Sequence, residues 1–119
     1  MDSDKAWNDI VAMYADPVLA RELLRRQDEE GLDVVLHLFA LWAGRQGRPL
    51  AGEALAEAAA AVAGWRAQVI EPLRRLRRAM KAMDADPVLR DAVRGQVQLA
   101  ELAAERAQVA MLCEWLRAR

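Results

Sequence analysis

The sequence predicts an all-α fold, a single-domain bundle of five to six helices spanning residues 1–119. Three observations carry that prediction. Alanine, the strongest helix former, supplies about a fifth of the 119 residues. No stretch alternates apolar and polar residues over the length of a strand. The run from Val34 to Trp42, Val-Val-Leu-His-Leu-Phe-Ala-Leu-Trp, is apolar on every helical face except at His37, so other helices must wrap it. It is far shorter than the roughly 20 apolar residues a bilayer requires, and it reads as a buried central helix at about 33–44.

The other elements follow from punctuation. Ser3 or Asp4 caps a first helix with Trp7, Ile10, Val11 and Tyr14 inward. Asp16-Pro17 ends it and starts a second, because Asp is a favoured N-cap and Pro a favoured first helical residue. That helix places Val18, Leu19, Leu23 and Leu24 inward and closes at Gly31, and Asp33 caps the central helix. After the loop Gly44–Pro49 comes an alanine-rich helix, about 51–63, stopped by Gly64. A fifth helix begins near Trp65 with Val69, Leu73, Leu76, Met80 and Met83 inward, and Pro72 within it predicts a kink. Asp86-Pro87 starts a last helix reaching almost to Arg119, with Gly95 as its weak point. Ala12–Leu19 and Ala82–Leu89 match at all but one position. A repeat should recur over a whole supersecondary unit, so the echo reads as one helix-restart solution used twice.

Bulk numbers narrow the function. Seventeen basic and 18 acidic residues give a net charge of −1, which leaves the whole molecule no electrostatic bias toward nucleic acid or acidic membranes. The opening Met1-Asp2-Ser3-Asp4 lacks the basic-then-apolar pattern of a secretion signal. The lone Cys113 excludes an internal disulfide and fits a reducing compartment. Cytoplasmic residence, with no membrane association, is expected.

Chemistry-bearing residues are few. Gln27–Asp33 gathers four carboxylates in one turn, but Leu32 stands where an EF-hand needs a third ligand and no glutamate occupies its twelfth position. Acids at a helix C-terminus oppose the dipole, so a cationic partner is expected: Arg25 and Arg26 are adjacent, and Asp28 or Asp33 could meet an arginine of Arg74-Arg75-Leu76-Arg77-Arg78 across the bundle. His37 lies four residues after Asp33 on the same helical face. One histidine and one cysteine leave too few ligands for an ordinary metal site, so His37 and Cys113 read as packed core residues. No metal, cofactor or catalytic constellation is predicted. The basic face Arg66–Lys81 raises nucleic-acid binding, opposed by the balanced charge and the acids at Glu101 and Glu105. Gly44, Arg45, Gly47 and Arg48 lack a phosphate-loop spacing.

With these residues in place, the chain resembles a bacterial domain-of-unknown-function family of short all-helical proteins. The segments that carry the resemblance are Trp7…Tyr14…Pro17, Gln27-Asp28-x-x-Gly31-x-Asp33-Val34, Trp65-Arg66…Pro72-Leu73-Arg74-x-x-Arg77-Arg78 and Glu101-Leu102-Ala103-Ala104-Glu105-Arg106. Arg26, Val35 and His37 depart from it, where the family has Leu, Asn and Leu. The resemblance implies the helical fold and no activity.

The leading expectation is therefore a non-enzymatic interaction module that self-associates as a homodimer or holds a protein partner. At about 1.5 Å per residue the last helix would approach 45 Å, longer than a compact domain covers. Val97, Leu102, Val109, Leu112 and Trp115 would supply the interface. The alternative is a protein, conceivably an enzyme, that binds a small ligand, anion or metal through Gln27, Asp28, Asp33, His37, Arg74, Arg77 and Arg78. Nucleic-acid binding ranks third.

Overall fold

The computed structural model describes residues 2–119, and all its regular elements are helical. They are α1 (Ser3–Tyr14), α2 (Pro17–Glu30), α3 (Val34–Arg45), α4 (Glu53–Trp65), a π-helical turn (Arg66–Ile70), α5 (Glu71–Met80) and α6 (Pro87–Ala118). The caps follow the predicted chemistry with one shift. Asp2, not Ser3 or Asp4, caps α1 by accepting from the Asp4 N–H. Asp16 and Asp86 each accept from the next two free amides, Val18 and Leu19 at 2.9 and 3.4 Å, Val88 and Leu89 at 2.9 and 3.2 Å. The sequence echo is thus a shared capping geometry. Gly31 closes α2 at φ 68°, a left-handed conformation that disfavours any residue with a Cβ.

The core forms around α3. Phe39 and Ala43 are completely buried, with Val35, Leu38 and Trp42 nearly so. Ala6 and Ile10 of α1, Leu23 of α2, Ala58 and Val62 of α4, and Val109, Leu112, Cys113 and Leu116 of α6 close over them. The Trp42 indole N–H donates to Asp9 Oδ2 at 2.9 Å, which satisfies the polar edge of a buried ring. That bond and the Lys5 ammonium hold the Asp9 carboxyl below the usual carboxylate range, the lysine having the larger effect.

Two expectations about the middle of the chain need correction. Gly64 does not stop a helix: helical backbone continues from Glu53 to Met80. A π turn stands just before Pro72, in which the Glu71 N–H reaches back to the Arg66 carbonyl. A wider turn absorbs an extra residue where proline would otherwise break the α ladder. The inward stripes also shift. Val18 and Leu24 of α2, and Leu76 and Met83, are exposed, while Ile70 takes the fully buried position.

At 32 residues α6 is about 48 Å long, and it sets the long dimension of the 50 × 29 × 27 Å molecule. Its C-terminal half lies in the core, whereas its N-terminal half pairs mainly with α5. Arg94 Nε, donating to the Arg77 carbonyl at 3.2 Å, ties that hairpin together. Among the described residues no helix is long and apolar enough to cross a membrane.

Candidate ligand-binding cavity

A cavity of about 330 Å³ opens between α1, α2, α3, α5 and α6. Helical periodicity builds it. Trp7, Ile10, Val11 and Tyr14 repeat at the spacing of one face of α1, and Val34, Val35 and Leu38 do the same on α3. Leu24 and Gln27, three residues apart, come from α2. Arg74 and Arg77 on α5 face Glu101 and Glu105 on α6, pairs spaced three and four residues apart. The π turn matters here: one additional residue per turn rotates everything after it by about 100°. That rotation separates the direction of the α5 arginines from the core-facing direction of Ala58 and Val62.

The polar end of the cavity is buried and unevenly satisfied. Arg77 forks onto Glu101, Nε to Oε1 at 2.7 Å and Nη2 to Oε2 at 3.3 Å. This hydrogen-bonded pairing raises the Arg77 pKa against the opposing effect of burial. Arg74 is 13% exposed, and its Nε stands 3.6 Å from Glu101 Oε2, an ion-pair distance. Its buried Nε–H has no hydrogen-bond partner. Such unsatisfied groups are rare and costly in native proteins. Glu105 is pushed up to about 7, chiefly by burial and next by the Glu101 carboxylate, against the pull of Arg74 and Arg77. Burial and the charge of Glu105 also raise the Tyr14 phenol, which stays neutral near pH 7.

The Glu105 shift has a direct consequence for stability. Its folded pKa lies above its ordinary value, so between about pH 4.5 and 7 the folded protein binds more protons than the unfolded chain. The contribution of this group to stability is fully present below pH 4.5 and falls as pH rises to 7. Urea midpoints across that window should show the fall, and Glu105→Gln should flatten it. An unchanged slope in the variant would assign the effect to another group.

A second depression of about 410 Å³, lined by Asp9, Ala12, Met13, Asp16, Leu19, Trp42, Arg45 and Gln46, is larger but widely open. Its acids are already engaged, Asp9 by Lys5 and Trp42 and Asp16 by the α2 amides. The smaller cavity therefore carries the more distinctive chemistry.

Of the residues the sequence singled out as ligand-binding, Gln27, Arg74 and Arg77 come together at this cavity. The others lie elsewhere. Asp28 pairs with Arg78 at the surface, the expected contact between acidic turn and basic helix. Both side chains are about half exposed, so the pair contributes about 0–1 kcal/mol. Single charge reversal at either position should cost no more than that, and the double reversal should restore the urea midpoint. Asp33 caps α3 through the Leu36 N–H, accepts from Gln108 Nε2 at 2.9 Å and lies 3.7 Å from Arg66 Nε. His37 sits half-buried on α3 outside the cavity lining, its pKa lowered by burial and then by Arg26. Among the described residues no three His, Cys, Asp or Glu side chains converge as metal ligands.

The predicted interface set is dispersed as well. Val109 and Leu112 have no exposed surface and serve the protein's own core. Trp115 lies under the Arg119 guanidinium at 5.3 Å, Val97 is half-buried, and Leu102 borders the cavity. The basic face is largely matched: Arg66 contacts Glu71 and Asp33, Arg75 lies near Glu71, and Arg74 and Arg77 share Glu101. Sequence reasoning treated Glu101 and Glu105 as countercharge and missed them as cavity residues. The available signal was two like charges at i, i+4, a spacing that destabilises a helix unless something opposite answers it.

The family described as "Protein of unknown function (DUF2390)" matches residues 5–112. No curated protein and no solved structure matches the chain.

Proposed function

We propose that the protein, which belongs to this family of unknown function, binds a small amphiphilic molecule in the cavity between α1, α2, α3, α5 and α6. The observation that carries the reading is an otherwise apolar cavity whose polar end holds two guanidinium groups, Arg77 forked onto Glu101 and Arg74 left 3.6 Å from the same carboxylate with no hydrogen bond at Nε. Glu101 already bonds Arg77, so Arg74 is held only by an ion pair beyond hydrogen-bond length, and a desolvated guanidinium is costly unless it is both paired and hydrogen-bonded. An acceptor on a ligand would supply the missing bond. The test is a thermal-shift panel of small amphiphiles on the wild type and on Leu102→Trp, which fills the cavity mouth. A ligand at one hundred times its Kd should stabilise by about 2.7 kcal/mol, and the variant should lose that response. Equal shifts in both proteins, or none in either, would refute the reading.

A second reading, a self-associating or partner-binding module, is favoured by the outer face of α6. Val88, Leu89, Val93 and Leu99 are exposed there, and with Ala92, Gln96, Ala100 and Ala103 they form an uncharged stripe at helical spacing. Exposed contiguous apolar surface of this kind marks interaction sites. This stripe, rather than Val109 and Leu112, would face the second copy of a homodimer. Light scattering at tens of micromolar should then give a dimeric mass that Leu99→Arg converts to monomer, whereas a monomeric wild type would sink this reading.

A further inference from the structure

We propose that the cavity selects small monocarboxylic acids, the carboxylate pairing with the Arg74 guanidinium while the apolar body lies against Trp7, Ile10, Leu38 and Leu102. This inference rests on the cavity reading above and adds the chemical class of the ligand.

Charge balance at the polar end excludes the neighbouring classes. Arg74 and Arg77 from α5 face Glu101 and Glu105 from α6, with the neutral Tyr14 phenol arriving from α1 and Gln27 from α2. Asp33, at the N-terminus of α3, and Asp28, at the end of α2, add weaker negative influence on Glu105 and Tyr14 respectively. Glu101 consumes one positive charge through its fork with Arg77. When Glu105 carries its proton, one arginine charge is left over, and that balance suits one negative charge on the ligand. A cation would be opposed by two guanidinium groups. A dianion such as a phosphate monoester would bring its second charge against the Glu101 carboxylate.

Hydrogen bonding points the same way. The Arg74 guanidinium has only the ion pair with Glu101 at 3.6 Å, and the protonated Glu105 carboxyl adds an O–H donor on the facing helix. A carboxylate offers two acceptor oxygens and can use both. An alcohol oxygen could accept from both but brings no charge to answer the arginine, and an amine would repel Arg74. Size sets the body. At about 30 Å³ per water-sized heavy atom, the volume of about 330 Å³ holds about ten such atoms, the size of octanoate.

Because the acceptor arrangement needs the Glu105 proton, binding is linked to its titration. Affinity for a carboxylate should be level below the Glu105 pKa of about 7 and weaken above it, approaching a tenfold loss per pH unit when coupling is complete. The charged groups named above are the ones that can shift that midpoint.

The experiment is titration of the full chain with octanoate, octan-1-ol, octylamine and octyl phosphate at pH 6 and pH 8, followed by tryptophan fluorescence and calorimetry. Octanoate at pH 6 should bind about tenfold or more tightly than octan-1-ol, one lost charge-assisted bond being worth that factor or more. Arg74→Gln should erase the difference by weakening octanoate about tenfold or more. Glu105→Gln should keep octanoate binding and remove its decline from pH 6 to pH 8. Should Arg74→Gln fail to fold, the Glu105→Gln pH comparison decides alone: an unchanged decline overturns the proposal. Equal binding of acid and alcohol, or tighter binding of the amine or phosphate, overturns the carboxylate class while the cavity reading survives. Binding of none of the four that Leu102→Trp removes defeats both.

Discussion

Phe39→Ala should lower the unfolding free energy by about 3–5 kcal/mol, the range for removing a buried aromatic ring. Phe39 has no exposed surface and stands at the middle of α3, its ring 5.7 Å from that of Trp42. Helices α1, α2, α4 and α6 all send buried side chains to the same cluster, so no single helix can move in to fill the space. A domain of this size has about 5–15 kcal/mol in total, and the variant would retain a small fraction or unfold at moderate temperature. Leu41→Ala, two residues along the same helix but 42% exposed, should cost about 1 kcal/mol or less. Urea midpoints of the two variants measure the contrast. Similar losses for both would show that α3 is not the centre of the packing.

The reason this much was legible in the sequence is that α3 is defined by local signals. Asp33 marks its start, the apolar residues mark its content, and their placement on all faces requires enclosure whatever surrounds them. The same holds for Asp16-Pro17, Gly31 and Asp86-Pro87, where one residue type satisfies a local backbone need. Legibility failed where the outcome depends on which helices meet. Gly64 is a local stop signal that packing overrides, and the π turn before Pro72 is something no propensity encodes. Val18, Leu76 and Met83 fit an amphipathic stripe but lie where no neighbour covers them. The site shows the same division. Gln27, Arg74 and Arg77 stood out as polar residues near apolar ones, but their convergence with Tyr14, Glu101 and Glu105 depends on the rotation supplied by the π turn and on the register of α5 against α6. Asp28 and Asp33 drew notice for their charge, and their charge is spent on Arg78 and on a helix cap.

Glu101→Leu should be comparably damaging, at about 3–5 kcal/mol, because removing one member of a buried ion pair leaves the other charged and uncompensated. Here two guanidinium groups depend on the same carboxylate, Arg77 through its fork and Arg74 at 3.6 Å, and Glu101 is only 7% exposed. Adding Arg77→Met should recover much of the loss, since replacing both partners of a buried pair with apolar groups is often neutral or better. Recovery should stop short of the wild type, because Arg74 stays charged without Glu101. Its remaining anionic partner is Glu105, and that gives the variant a second signature. Without the Glu101 carboxylate beside it, Glu105 loses its second-largest upward influence. Its titration should move below 7 yet stay above the ordinary carboxylate value, because burial, the largest cause, persists. The fall in stability between pH 4.5 and 7 should therefore shrink in Glu101→Leu without vanishing. Carboxyl-carbon NMR titration of Glu105 and urea midpoints at pH 5 and pH 7 read the two effects separately. A cost near zero for Glu101→Leu, with the Glu105 titration unmoved, would mean that the two arginines never depended on Glu101, and that the polar end of the cavity is solvated rather than enclosed.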